Sequence, residues 1–225
     1  MNVATDDPLF WRLFALAQLL PQLPPRELIL WLEQVAGLPL APAMLPKMPL
    51  DRLAAAFPAE VSVPTVSQWQ QVMACLDGWL PEHLTTQPGR GEALHLRVAF
   101  ASSDGLTIDG HFGQSKLFFI YVFDDKGPFL QQVRRYRDEP GALEEGNEAR
   151  ARLLSDCHLL FCEAIGGPAA ARVIRNNIHP IKIKPPMSIA QQLQALEKML
   201  TERLPPWLAK RLGKTTPLAQ RDFSL

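Results

Sequence analysis

The stretch Ser115–Arg137, "SKLFFIYVFDDKGPFLQQVRRYR", decides how the chain is read. Two strand-like runs, "SKLFFIYVF" and the alternating "GPFLQQVRRYR", flank Asp124-Asp125-Lys126-Gly127, whose residue types suit a tight hairpin turn. Upstream, "LHLRVAFAS" (94–102) reads as another strand, so the three form an antiparallel meander. Downstream, roughly Ala142 to Asp156 has helical spacing, with a Glu-rich start and an Arg-bearing end that suit the helix dipole. The apolar run "CHLLFCEAIGG" (157–167) then reads as a buried strand. "GPAAARVIRNN" (167–177) starts a helix with Pro168 in its first turn, and "HPIKIKP" (179–185) is a short strand. "SIAQQLQALEKMLTERL" (188–204) is an amphipathic helix capped by Ser188. The order βββαβαβα predicts a mixed sheet of about five strands with flanking helices.

Residues 1–88 have a different rhythm. "DPLFWRLFALAQLL" (7–20) carries an N-cap in Asp7, Pro8 at the first helical position and apolar residues at helical spacing. "PPRELILWLEQVAG" (24–37) repeats the design and stops at Gly37. "PLDRLAAAF" (49–57) and "VSQWQQVMACLDGWL" (66–80) read as two further helices, the latter capped by Ser67. Twelve of the 21 prolines lie here, which suits a small bundle of short helices with abrupt joints. "LTTQPGRGEA", Leu84–Ala93, reads as the linker. The expected domains are therefore residues 1–88 and 89–225, the second ending in a basic tail from Pro205.

The 225 residues balance 23 basic against 23 acidic side chains, which argues against a nucleic-acid partner bound by phosphate neutralisation. Residues 1–88 hold 4 basic and 8 acidic side chains, so the first domain is acidic and the second mildly basic. Cys75, Cys157 and Cys162 form no CxxC pair, so neither a disulfide framework nor a thiolate zinc site is signalled, and a cytoplasmic location is expected. Cys157 and Cys162, five apart in a strand, would face opposite ways. The apolar N-terminal stretch is short and interrupted by Arg12, so no membrane span is expected.

Two motifs carry possible chemistry. In "IDGHFG" (108–113), His111 offers an imidazole, a good ligand for borderline transition metals, and Gly110 and Gly113 allow close backbone approach. A lone loop histidine can equally serve only its own turn. In "AIGGPAAARVI" (164–174), Gly166 and Gly167 precede a helix start where backbone N–H groups can hold an anion, or simply make a tight turn. No GxSxG, Walker, HExxH or EF-hand pattern is present, so no enzyme chemistry is signalled.

"DGLTIDGHFGQSKLFFIYVFD", "EAIGGPAAARVIRNNIHPIKIK" and "LPPWLAKRL", in that order, resemble the NifY/NafY/NifX family of nitrogenase accessory proteins, whose core also forms the C-terminal part of NifB. The similarity spans nearly all of residues 94–212, and the helical first domain suits the two-domain members. The resemblance implies a ribonuclease H-like core that binds the iron–molybdenum cofactor of nitrogenase, or its precursor, joined to a helical domain that contacts apo-dinitrogenase. The histidine implicated in holding the cluster falls on His111, as metal ligand. In the family topology the first and fourth strands are parallel neighbours, which would bring the His111 loop to Gly166-Gly167. Lys116, Arg172 and His179 would lie at the rim. The function implied is a non-enzymatic carrier and chaperone; the alternative is a chaperone that stabilises apo-dinitrogenase with no cluster contact. Trp207 is either a docking anchor or packing for the last helix.

Overall fold

The computed structural model describes residues 7–87, 96–138, 145–184, 187–202 and 205–211. Most of the expected linker, the start of the helix expected from Ala142, and the tail beyond Arg211 lie outside the described residues. The chain divides into two compact units, Met1–Thr86 and Gln87–Leu225.

Unit 1 contains α1 (Pro8–Leu19), α2 (Pro25–Ala36), α3 (Leu50–Ala55) and α4 (Val66–Asp77), with short 3-10 turns at Leu45–Lys47 and Glu82–Leu84. Asp7 begins α1 by accepting from the Phe10 N–H at 3.0 Å. Gly37, at φ 88°, ends α2. The cap of α4 is Thr65 rather than Ser67: Thr65 Oγ1 accepts from Gln68 N–H, and Gln68 Oε1 accepts from Thr65 N–H. Gln68, three residues after Thr65, supplies the second half of a capping box. The core is aliphatic around two buried tryptophans, Trp11 and Trp31. Trp31 also donates its indole N–H to Leu53 O at 3.0 Å, which ties α2 to α3.

Unit 2 is a five-stranded mixed sheet in the order β3-β2-β1-β4-β5. Its strands are β1 (Leu96–Ala101), β2 (Leu117–Asp124), β3 (Gly127–Arg135), β4 (Leu159–Cys162) and β5 (His179–Lys182). β1–β2 and β2–β3 are antiparallel, while β1–β4 and β4–β5 are parallel. The β2–β3 hairpin closes through Asp125-Lys126; Asp124 Oδ1 accepts from Lys126 N–H at 2.8 Å, and Gly127 takes φ 103°. Helices α5 (Gly146–Leu153) and α6 (Gly167–Arg175) complete the parallel crossovers, and α7 (Ile189–Glu202) and α8 (Pro206–Arg211) follow.

One sheet face contributes Ala99, Ala101, Phe118, Ile120, Leu160 and Cys162 to a core closed by Ala151, Leu154, Ala169 and Val173 of the α5 and α6 region. Cys157 lies in this same core, against the expectation that it faces away from Cys162. The reason is that β4 begins only at Leu159, so strand alternation does not extend back to Cys157. Ser188 caps α7 through a reciprocal pair with Gln191. Among the described residues, no helix is long and apolar enough to cross a membrane.

Candidate functional site

The segment between β1 and β2, residues 102–116, is pinned at several points. Ser102 is buried, and its Oγ accepts from Gly105 N–H at 2.9 Å. Asp104 Oδ1 accepts from the N–H groups of Leu106 and Thr107 at 2.7 and 2.8 Å. Asp109 accepts from Ser103 through both backbone and hydroxyl. Gly110 then returns to the end of β1, donating to Ala101 O at 3.1 Å, while Gly110 O accepts from Glu163 N–H at 3.0 Å. A Cβ on Gly110 would stand 2.7 Å from Ala101 Cβ and 2.9 Å from Ala101 C, so the close approach requires glycine. Phe112 donates to Ala164 O at 2.8 Å and buries its ring in the core.

His111 is thus held between two anchored neighbours and forms a parallel bridge with Ala164. The turn that follows is made by its carbonyl, which accepts from Gln114 and Ser115 N–H at 2.9 Å each. The ring takes no part in that turn. Its side chain is 53% exposed, and Glu163 stands beside it, with Oε1 3.7 Å from Nε2. A cleft of about 460 Å³ opens here, lined by His111 and Gly110 with Ser103, Gln114 and Lys116 among others. Arg150, only 5% exposed, supports the far wall: its Nε donates to Ser115 O at 3.0 Å, and its guanidinium lies 3.7 Å from the Tyr136 ring centre.

The parallel pairing of β1 and β4 brings this loop beside the segment that enters α6, at the carboxyl ends of both strands. In open α/β sheets that edge is where ligands bind. Helix α6 starts with Gly166 as N-cap, has no side-chain cap and no acidic residue in its first turn. A Cβ on Gly166 or Gly167 would meet nothing within 4 Å, so packing does not demand these glycines. The N–H groups there remain available to an anion, with one donor removed by Pro168.

The rim residues separate. Lys116 lines the cleft, in an ion pair with Asp138. Gly113 sits against Asn147, whose Oδ1 would lie 3.1 Å from an added Cβ. Arg172 is ion-paired with Glu145 and Glu148, because α5 and α6 pack side by side. His179 stands apart from the His111 loop. It pairs with Leu159 at the start of β4, five residues from the His111–Ala164 bridge, about 16 Å along the strand at 3.3 Å per residue. There it meets Trp207, with ring centres 4.8 Å apart. Trp207 stays 43% exposed, whereas Leu208 and Ala209 of α8 are buried.

The thiols belong to the core. Burial pushes Cys157 up to about 12 and Cys162 to about 11, so both remain protonated near neutrality and make poor metal ligands. Among the described residues, no three His, Cys, Asp or Glu side chains form a metal-binding group. Glu163 beside His111, like Ser103 and Gln114 of the cleft, was not singled out in the sequence; its signal was its place just past the apolar strand, directly before Ala164-Ile165-Gly166-Gly167.

The mixed sheet thus presents a half-exposed histidine from a glycine-bounded loop, beside a helix start with no side-chain cap. Residues 95–199 match the family described as dinitrogenase iron-molybdenum cofactor. The chain is 49% identical over 214 residues to protein NifY of Klebsiella pneumoniae, covering 95% of this chain and 93% of that one. It is 40% identical over 144 residues to protein NifX of Sinorhizobium fredii, covering 61% of this chain and 89% of that one. With protein NifY of Azotobacter vinelandii it shares 37% identity over 121 residues, 52% of this chain and 48% of that one. The chain belongs to the NifY/NifX family of nitrogen-fixation proteins.

Proposed function

We propose that this protein is a non-enzymatic carrier in nitrogenase maturation, holding the iron–molybdenum cofactor or its precursor and docking on apo-dinitrogenase until the cofactor is inserted. The observation that carries the reading is the His111 imidazole, fixed by its backbone neighbours yet left half-exposed at a cleft of the domain that matches the cofactor family. One nitrogen ligand suits a metal–sulfur cargo. The backbone donors at Gly167 and Ala169, and the Lys116 ammonium, suit its negative charge. A holder with one protein ligand and a few hydrogen-bond donors binds reversibly, as transfer to a tighter site requires. We read the second unit as ribonuclease H-like, a topology that the order β3-β2-β1-β4-β5, with its meander and parallel crossovers, supports.

The docking role falls to unit 1 in this reading. Leu30 of α2, Val66 of α4 and Trp79 just past α4 are large apolar side chains left exposed, and tryptophan is the type among them enriched at interface anchors. Trp207 of unit 2 is a second candidate anchor. These side chains also favour the other reading, a chaperone that binds apo-dinitrogenase without touching the cluster.

Anaerobic titration with isolated iron–molybdenum cofactor, followed by visible absorption and electron paramagnetic resonance, separates the two. The wild type is expected to bind and His111→Ala to bind at least about tenfold more weakly. Its folding stability should stay within about 0.5 kcal/mol, because the ring is half-exposed. Unchanged affinity in the variant would remove His111 from the site, and no binding by either protein would leave the chaperone reading.

A further inference from the structure

Glu163 stands beside His111 because of how the two strand ends are joined. Its N–H donates to Gly110 O, and the next residue, Ala164, is the bridge partner of His111. Both backbones are therefore fixed, and the Glu163 carboxylate faces the ring with Oε1 3.7 Å from Nε2. His111 lines the cleft of residues 102–117, whereas Glu163 does not. The carboxylate thus stands 3.7 Å from one ring nitrogen and is not among the side chains that line the cleft.

A neutral imidazole carries one N–H and one lone pair, and an acceptor at one nitrogen decides which is which. We propose that Glu163 is a positioning residue: it accepts the Nε2–H of His111, stops the ring from turning, and so presents Nδ1 to the cargo as the metal-ligating atom. This rests on the reading of His111 as the cargo's ligand. At 3.7 Å the contact is longer than a hydrogen bond, and the three side-chain torsions of glutamate let the carboxylate close the gap of about 0.8 Å without backbone movement. Carboxylates that orient a ligating histidine in this way also raise its basicity, and their loss weakens metal affinity about 10–100-fold. A simple electrostatic role predicts the reverse: a carboxylate near an anionic cargo repels it, so its removal would tighten binding.

The test uses the full chain, first unloaded and then with isolated iron–molybdenum cofactor, in the wild type, Glu163→Gln and Glu163→Ala. Nitrogen-15 shifts of labelled histidine, recorded at about pH 8, report the tautomer without any cargo. The wild type and Glu163→Gln, whose amide oxygen still accepts, should hold the Nε2–H form. Glu163→Ala should show a mixture with backbone shifts unchanged away from the loop. In the anaerobic titration Glu163→Ala should bind about 10–100-fold more weakly and Glu163→Gln should recover most of the loss. The same tautomer mixture in all three proteins, or unchanged or tighter binding by Glu163→Ala, overturns the proposal. A wild type that binds no cofactor is a separate result: it overturns the carrier reading and, with it, the ligand role of Nδ1, whatever the tautomer.

Discussion

Gly110 and Gly167 are both glycines beside the same loop, yet the space around them differs. An added Cβ at Gly110 collides with Ala101 and with Ser115 Oγ, whereas at Gly167 it meets nothing within 4 Å. Gly110→Ala is therefore expected to cost about 1–3 kcal/mol in denaturant unfolding, through displaced backbone, and to weaken cofactor binding by moving His111. Gly167→Ala should be neutral or stabilising by up to about 1 kcal/mol, since alanine restricts the unfolded chain and favours the helix. If the backbone there approaches the cargo, Gly167→Ala lowers affinity with no loss of stability; equal behaviour of the two variants would contradict this distinction. Both glycines stand out in the sequence as motif members. Only the tertiary structure shows that packing requires glycine at the first and leaves open space at the second.

At the scale of elements, β1, β3 and the α5–β4 turn are joined by one ion-pair network. Asp156 accepts from both Arg134 Nη atoms, with Nη2 at 2.7 Å, and from Arg97 at 2.8 Å. The Arg134 hydrogen bond holds the Asp156 carboxyl down to about 2, below the ordinary aspartate value of about 3.9. A carboxyl depressed in the fold stabilises it above its unfolded value and loses that contribution as pH falls through the folded one. Asp156→Asn should therefore lower stability near neutrality by about 1–2 kcal/mol, a modest figure because Asp156 is 39% exposed. The gap to wild type should shrink between about pH 4 and pH 2. Denaturant midpoints across that range check it, and a pH-independent gap would rule the carboxylate out as the cause. The elements themselves were legible: the period-2 runs, the Asp124–Gly127 turn and the Asp7, Gly37 and Ser188 boundaries are local signals. The Thr65 cap was legible too, in the glutamine three residues on, although Ser67 is the nearer hydroxyl to the apolar run.

For the whole molecule, each unit has its own buried core, with Trp11, Trp31 and Leu76 in one and Phe100, Phe118 and Phe161 in the other. Removing residues 1–86 should leave a second unit that folds cooperatively and binds the cofactor with unchanged affinity, but no longer captures apo-dinitrogenase; capture at full strength would refute the docking role proposed for unit 1. The sequence by itself determined what depends on neighbours a few residues apart: helix and strand periodicity, caps and turns, the change of rhythm after residue 88, and the pattern "DGHFG" that draws attention to His111. The tertiary structure alone decided which of those residues meet. Pairing β1 in parallel with β4 sets His111 beside Ala164 and Glu163, while the β4–β5 register carries His179 to the other end of the sheet and α5 takes Arg172 into its own ion pairs. Residues fifty apart in the chain become neighbours only through strand register and helix packing, because those contacts are fixed by the collective burial of a sheet face rather than by any local preference.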